Sequence, residues 1–363
     1  MSVQVSYSKQ LIFGLIALLI IFAAIEGTAR AYEFLNPDCT FVNKDAHADL
    51  DFFLIRQMCE DLENRLFIHG DTVSVNAPNQ HSKTININSF GFRGPEISKE
   101  KPDDVFRVFV IGGSTTYGYG ATSDKTTIPG FLQQKFNSEK LDLKIEVINA
   151  GNPASDSLDE VFYAKKLIQE FEPDLFIIFD GWNDAAHNIR LEMSDKSQEE
   201  IQNTDDFFKF KNFPYYRTPF VIKEIFFFDP SSDGLIMVDG SETPQKIELW
   251  VNRWSEICEL GNSMGFSTIV TVQPLLGSGK KILSPDEQKI VSAFPGKHNL
   301  LPILEEMANA LNRLDSSCTK TADLRNTFDG IDKPIFYDVG HTNDLGNKLI
   351  AKKLFELSLP LVM

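Results

Sequence analysis

Four short stretches of this sequence, far apart along the chain, hold side chains that make chemical sense only in combination. They are Gly112-Gly113-Ser114-Thr115-Thr116, Asn149-Ala150-Gly151-Asn152, Asp180-Gly181-Trp182-Asn183-Asp184 and Asp338-Val339-Gly340-His341. Together they offer a hydroxyl, a glycine amide, a carboxamide and an imidazole preceded three residues earlier by a carboxylate, which is the inventory of acyl transfer. A serine hydroxyl is a poor nucleophile at neutral pH unless a base is positioned to take its proton. Among the six histidines, His341 has the carboxylate spacing for this task. Asp338 is placed to accept from His341 Nδ1, fixing the tautomer and stabilising the imidazolium that forms. Charge developing on the carbonyl oxygen needs donors already aimed at it, and the Ser114 amide, the Gly151 amide and the Asn183 side chain are the expected set. His47, His69, His81, His187 and His298 lack such surroundings and are read as ordinary histidines. Taken alone, Ser114 after a glycine turn would suit helix capping or phosphate binding, but no full Walker or GxGxxG pattern accompanies it.

The elements that would bring these segments together follow from hydropathy. Val105–Gly113 (VFRVFVIGG) reads as a buried strand halted by a glycine turn. A helix is expected around Ile128–Lys140, a strand at Lys144–Asn149, a helix at Leu158–Phe171 and a fully apolar strand at Asp174–Phe179. The alternation resumes with a helix at Gln245–Met264, a strand at Ser267–Gln273, a helix at Leu301–Leu314, a short last strand at Pro334–Tyr337 and a helix at Asp344–Leu357. Alternating strands and helices predict an α/β fold on a parallel sheet, with chemistry at the carboxyl ends of its strands. Each of the four segments falls at such an end. Trp182 and Asp184 are expected to pack and turn, and Gly118 and Gly120 to shape the loop beside Ser114. Arg93 is expected in a structural ion pair rather than on an anionic substrate.

These four blocks, in this order and spacing, resemble the SGNH/GDSL hydrolase superfamily, over about residues 105–360. The resemblance implies a three-layer α/β/α, flavodoxin-like fold and cleavage of esters of lipids, acetylated sugars or peptidoglycan-type polymers. By the same likeness Ser114 corresponds to the nucleophile, Gly151 and Asn183 to oxyanion donors, and His341 with Asp338 to the base and its orienting acid. One departure stands out: the family's first block usually reads GDS, and Gly113 occupies its middle position here. The turn at Asn88–Gly94, with a single anchor, is similar to a membrane-tethered subgroup.

The remainder of the chain sets the compartment. Leu11–Ile25 (LIFGLIALLIIFAAI) is an unbroken apolar run preceded by Lys9 and followed by Glu26 and Arg30. At about 1.5 Å per residue it covers roughly 22 Å, short of the roughly 30 Å hydrocarbon layer unless its flanks complete it. It is read as an uncleaved membrane anchor, with a removed signal peptide as the competing reading, so residues 1–31 are anchor or signal, 32–104 an accessory segment, and 105–363 the catalytic domain. Either way the catalytic domain is expected outside the cytoplasm, anchored or, if cleaved, secreted. The four cysteines permit disulfides in an oxidising space, the economical pairing being Cys39 with Cys59 and Cys258 with Cys318. There is no CxxC pair and no histidine cluster, so no structural zinc is expected.

The 363 residues carry 35 Lys and Arg against 51 Asp and Glu, a formal charge of −16, which argues against nucleic acid and anionic headgroups as partners. Of the 30 phenylalanines, many crowd into residues 185–243, where Phe207, Phe208, Phe210, Phe213, Phe220 and Phe226–Phe228 are interspersed with prolines. This stretch reads as an insertion that packs against the sheet, or alternatively forms a lid, an acyl groove or a membrane contact. The reading is therefore an extracytoplasmic serine esterase acting on a small or polymeric ester, without metal or organic cofactor. The alternatives are an O-acyltransferase with the same site and an inactive SGNH-fold surface-glycan or assembly protein.

Overall fold

The structure is a computed structural model that describes residues 6–37, 39–42, 44–69, 74–191, 217–227, 240–294 and 297–363. The chain divides into two compact units, one holding the N-terminal helix and the helix Thr218–Phe227, the other built from Thr40–Asp195 and Leu235–Met363.

In the larger unit five parallel strands form one sheet: β1 (Val105–Gly112), β2 (Lys144–Gly151), β3 (Leu175–Asp180), β4 (Ser267–Val272) and β5 (Lys320–Asp323), in the order β2-β1-β3-β4-β5. Side chains alternate across the pleat, and both faces are apolar because both are covered. Phe109, Ile111, Phe176 and Ile178 face a core closed by α2 (Ser157–Phe171), α3 (Thr243–Met264) and α5 (Lys297–Ala310). Val108, Val110, Ile177 and Phe179 face a second core closed by α1 (Ile128–Ser138) and α6 (Asp344–Val362). The result is the α/β/α sandwich expected. Strand order reverses around β1, so the crevice of the fold opens at the carboxyl ends of β1 and its neighbours. Register puts Gly112 opposite both Gly151 and Phe179, bringing three of the four chemical segments to one edge.

The last strand differs from expectation. Pro334–Tyr337 is not a strand: Ile335, Phe336 and Tyr337 are buried, but in a loop carrying only an isolated bridge from Phe336 to Thr342. The fifth strand is Lys320–Asp323 (KTAD), whose position at the sheet edge leaves its residues partly exposed, so no apolar run marks it. Residues 40–104 fold within the same unit as the sheet. Their hairpin Gln80–His81 with Asn86–Ile87 continues through an Arg93–Asn149 bridge to β2, and Phe92 enters the core. A disulfide joins Cys258 of α3 to Cys318, and none of the four cysteines is free.

In the smaller unit the N-terminal helix runs unbroken from Tyr7 to Leu35, 29 residues, or about 43 Å at 1.5 Å per residue. The flanks of the apolar run thus do extend it to spanning length, and its apolar side chains from Leu11 to Ile25 are exposed. It is long and apolar enough for a membrane span or a signal sequence. The described helix of the aromatic insertion, Thr218–Phe227, belongs to the same unit as this N-terminal helix. Phe207, Phe208, Phe210, Phe213 and Phe228 lie outside the described residues.

Candidate active site

Ser114, His341 and Asp338 form a hydrogen-bonded line. Ser114 Oγ lies 2.7 Å from His341 Nε2, and His341 Nδ1 lies 2.6 Å from Asp338 Oδ2. Asp338 Oδ1 accepts from the backbone N–H of Gly340 at 2.9 Å and of His341 at 2.7 Å. One carboxylate oxygen is therefore pinned by the loop and the other is presented to the imidazole. Burial opposes ionisation of Asp338, yet the His341 ring and the two backbone N–H groups outweigh it and hold the carboxyl below its ordinary range.

Each partner is held from behind. Ser114 begins a one-turn helix, Ser114–Tyr117, launched from β1 by Gly113 and ended by Gly118 at φ 98°. Arg93 closes that end, donating to the Gly118 carbonyl at 2.8 Å and the Tyr117 carbonyl at 3.2 Å, while its Nε meets Asp124 at 2.9 Å and its other terminal nitrogen meets the Thr84 carbonyl at 2.9 Å. Carbonyls at a helix carboxyl end attract cations, so the Arg93 ion pair has a second duty as a cap on the Ser114 turn. The His341 ring lies among three aromatics, with Trp182 at 4.9 Å edge-on, Tyr119 stacked at 5.3 Å and Tyr337 stacked at 5.7 Å between centroids. Two glycines make room for them. A Cβ on Gly340 would sit 2.2 Å from the Trp182 ring, and one on Gly120, whose φ is 73°, would sit 2.4 Å from that of Tyr337. Tyr119 in turn offers a ring face to the buried Arg65 guanidinium, 5.2 Å from its centroid. Sequence reasoning marks the Tyr117–Gly120 run as loop-shaping but does not find Tyr119 and Tyr337 as walls of the imidazole slot. For Tyr119 the distance from His341 in sequence leaves no signal; for Tyr337 the adjacency to Asp338 is one.

The amides and the carboxamide sort less simply. The Ser114 N–H is first in its helix and has no intrahelical acceptor. Asn183 Nδ2 donates to the Ser155 carbonyl at 2.6 Å, which leaves its second hydrogen, since a carboxamide nitrogen carries two. A Cβ on Gly113 would come within 2.7 Å of Asn183 Nδ2, so the glycine at this position leaves space that the carboxamide fills. Gly151 requires correction. Its N–H donates to Asn149 Oδ1 at 3.0 Å, and a Cβ there would meet the Tyr117 nitrogen at 2.2 Å. Gly151 thus lets β2 and the Ser114 turn approach closely, and its amide is already engaged. Three residues on, Ala154 is exposed and sits at φ 63°, next to the Ser155 carbonyl that holds Asn183. Its N–H has no acceptor among the described residues. An alanine between Pro153 and Ser155 offers no sequence cue to a left-handed turn, a region non-glycine residues rarely visit.

Behind Asn183 lies a bed of buried carboxyl groups. Asp184 accepts from the Ser157 N–H at 2.8 Å and from the Ser157 hydroxyl, tying the Asn183 turn to the start of α2. Asp180 Oδ2 accepts from the indoles of Trp250 at 2.9 Å and Trp254 at 3.2 Å. Burial, reinforced by neighbouring carboxylates, pushes Asp184 and Glu160 well above the usual carboxylate range. Among the described residues no group of three or more His, Cys, Asp or Glu is arranged to hold a metal.

No protein-family model matches the chain, and no curated protein sequence matches it. Several solved structures are similar. A member of the lipolytic G-D-S-L family from Veillonella parvula shares 14% identity, with 69% of this chain and 97% of that one covered and a TM-score of 0.41. The lipase/acylhydrolase from Enterococcus faecalis shares 15% over 71% of this chain and 97% of that one, at 0.39. An acetyl xylan esterase shares 14% over 69% and 99%, also at 0.39.

Proposed function

We propose that this chain is a serine-dependent ester hydrolase, held by its N-terminal helix with the catalytic unit outside the cytoplasm, and acting on an acyl ester of a lipid or glycan. The observation that carries this reading is the continuous line from Ser114 Oγ through His341 to Asp338, assembled from residues over two hundred positions apart. In the proposed cycle Ser114 Oγ attacks the ester carbonyl carbon while its proton passes to His341 Nε2. The bond from Oγ to the acyl carbon forms, and the carbonyl oxygen becomes an oxyanion facing the Ser114 N–H, the Asn183 carboxamide and the Ala154 N–H. Collapse expels the alcohol, which takes the proton back from Nε2. Water then attacks the acyl-enzyme by the same route, releasing the acid and restoring Ser114. Asp338 keeps Nδ1 protonated throughout, so that Nε2 faces Ser114 as an acceptor. Donors fixed in place before the charge appears supply stabilisation without reorganisation, each typically worth about 3 kcal/mol.

The test is turnover of p-nitrophenyl acetate by the purified chain and its labelling by a fluorophosphonate. Ser114→Ala is expected to abolish both. Equal turnover and labelling in that variant would end the proposal.

A further inference from the structure

The smaller unit holds a feature that ester hydrolysis does not require. The helix Thr218–Phe227 (TPFVIKEIFF) is apolar nearly all round, with Lys223 and Glu224 as its only charged residues. A helix of that kind in water normally lies inside a core or a membrane. Here Thr218 and Val221 are buried, whereas Ile222 is 46% exposed, Ile225 49% and Phe226 74%. Its start is fastened to the N-terminal helix just past the apolar run. Glu26 accepts from the Arg217 N–H at 2.8 Å, from the Thr218 N–H at 3.1 Å and from the Thr218 hydroxyl at 3.0 Å. Arg217 Nε meets both Glu33 carboxylate oxygens at 2.9 Å, and Arg30 meets Glu26 at 2.8 Å. The first carboxylate after the apolar run thus serves as the amino-terminal cap of the second helix.

We infer that Thr218–Phe227 is a second membrane element, seated in the acyl region of the single leaflet where the anchor emerges. This goes beyond the hydrolase reading and rests only on its membrane-anchor part. Ten residues make about 15 Å of helix, half of the roughly 30 Å hydrocarbon layer, so the element suits one leaflet and does not span. The bilayer is the one apolar partner that the adjoining run Leu11–Ile25 already calls for. Its contact is apolar, which accords with the chain's formal charge of −16 and points to neutral lipid. The charged network Glu26, Arg30, Glu33 and Arg217 would lie at the headgroup level, where its charged groups and the capped start of the second helix stay hydrated.

The experiment uses the full chain in phosphatidylcholine vesicles. All native cysteines are oxidised, so a thiol introduced by Phe226→Cys, Ile222→Cys or Leu18→Cys can be labelled alone with a nitrobenzoxadiazole dye. Doxyl groups on the lipid acyl chain and aqueous iodide are the two quenchers. Doxyl lipid is expected to quench labels at positions 226 and 222 at least threefold more than iodide does, as at position 18. Arg217→Ala is expected to lower doxyl quenching at 226 and leave that at 18 unchanged. Iodide quenching at 226 and 222 with doxyl quenching at 18 overturns the inference and spares the anchor. Iodide quenching at all three overturns both. Hydrolysis of p-nitrophenyl acetate by the same samples reports separately on the catalytic reading.

Discussion

Replacing Asp338 by asparagine tests the geometry of the site with almost no change of shape. Asp338 Oδ1 is fixed as an acceptor by two backbone N–H groups, at 2.9 and 2.7 Å. An asparagine must keep its carbonyl oxygen there, because an NH2 group facing two donors would be unpaired on both sides. Its NH2 is then forced to the Oδ2 position, 2.6 Å from His341 Nδ1. Nδ1 must become an acceptor, the ring proton moves to Nε2, and Nε2 now donates to Ser114 Oγ when it should accept from it. The base is present but carries the wrong proton. Losses of this kind are on the order of 10⁴ in kcat, or about 5.5 kcal/mol at roughly 1.36 kcal/mol per decade. The assay is single-turnover acylation by p-nitrophenyl acetate from pH 5 to 9, beside thermal unfolding. Because the folded-state pKa of Asp338 is depressed, its contribution to stability is present above the unfolded carboxyl value near 3.9 and lost as pH falls through the folded value. The Asp338→Asn variant should therefore match the parent in unfolding at strongly acid pH and fall slightly below it at neutrality. Retention of more than about a tenth of the acylation rate at pH 7 would refute the claim that Asp338 sets the imidazole tautomer.

Three further outcomes follow from the same contacts. Gly113→Ala places a methyl within 2.7 Å of Asn183 Nδ2 and should cut kcat up to about 100-fold by displacing one donor, with little change in melting temperature; an unaltered kcat would remove Asn183 from the oxyanion site. Arg93→Met removes the guanidinium from Asp124 and from the Thr84, Tyr117 and Gly118 carbonyls. Asp124 keeps Asn86, the Tyr117 carbonyl keeps Asn149 and the Gly118 carbonyl keeps the Ala121 N–H, so the variant should cost about 2–3 kcal/mol in urea unfolding. Glu160 is buried with both carboxylate oxygens unpartnered, and its folded pKa is raised by burial and then by Asp180, Asp184, Asp156 and Asp159. Stability should thus fall as pH rises from the unfolded value near 4.3 toward the folded one. Glu160→Gln is expected to flatten that decline and to raise the melting temperature at pH 8 relative to pH 5.

Much of the scaffold was legible because its inner strands are covered on both faces. VFRVFVIG and LFIIFD are apolar at nearly every position for that reason, and the glycines after them mark where the backbone must turn. The edge strand KTAD escaped notice because one flank meets solvent, while the apolar Pro334–Tyr337 misled because burial of a loop looks the same in one dimension as burial of a strand. Ser114 and Asn183 follow β1 and β3, as their glycine turns suggest, whereas Asp338 and His341, sought after a strand, follow that buried loop.

What the sequence determined by itself was which chemical groups are present and the order in which the chain delivers them, since composition and period are local properties. Their partners were settled in three dimensions. Whether Gly151 offers its N–H or spends it on Asn149, which amide stands free in its place, and which end of the Ser114 helix Arg93 caps all depend on groups that meet only when β1, β2 and β3 lie side by side. The destination of the aromatic stretch was equally hidden. Glu26 and Arg217 are 191 residues apart, and nothing in the local pattern of either says that one carboxylate will cap the other's helix.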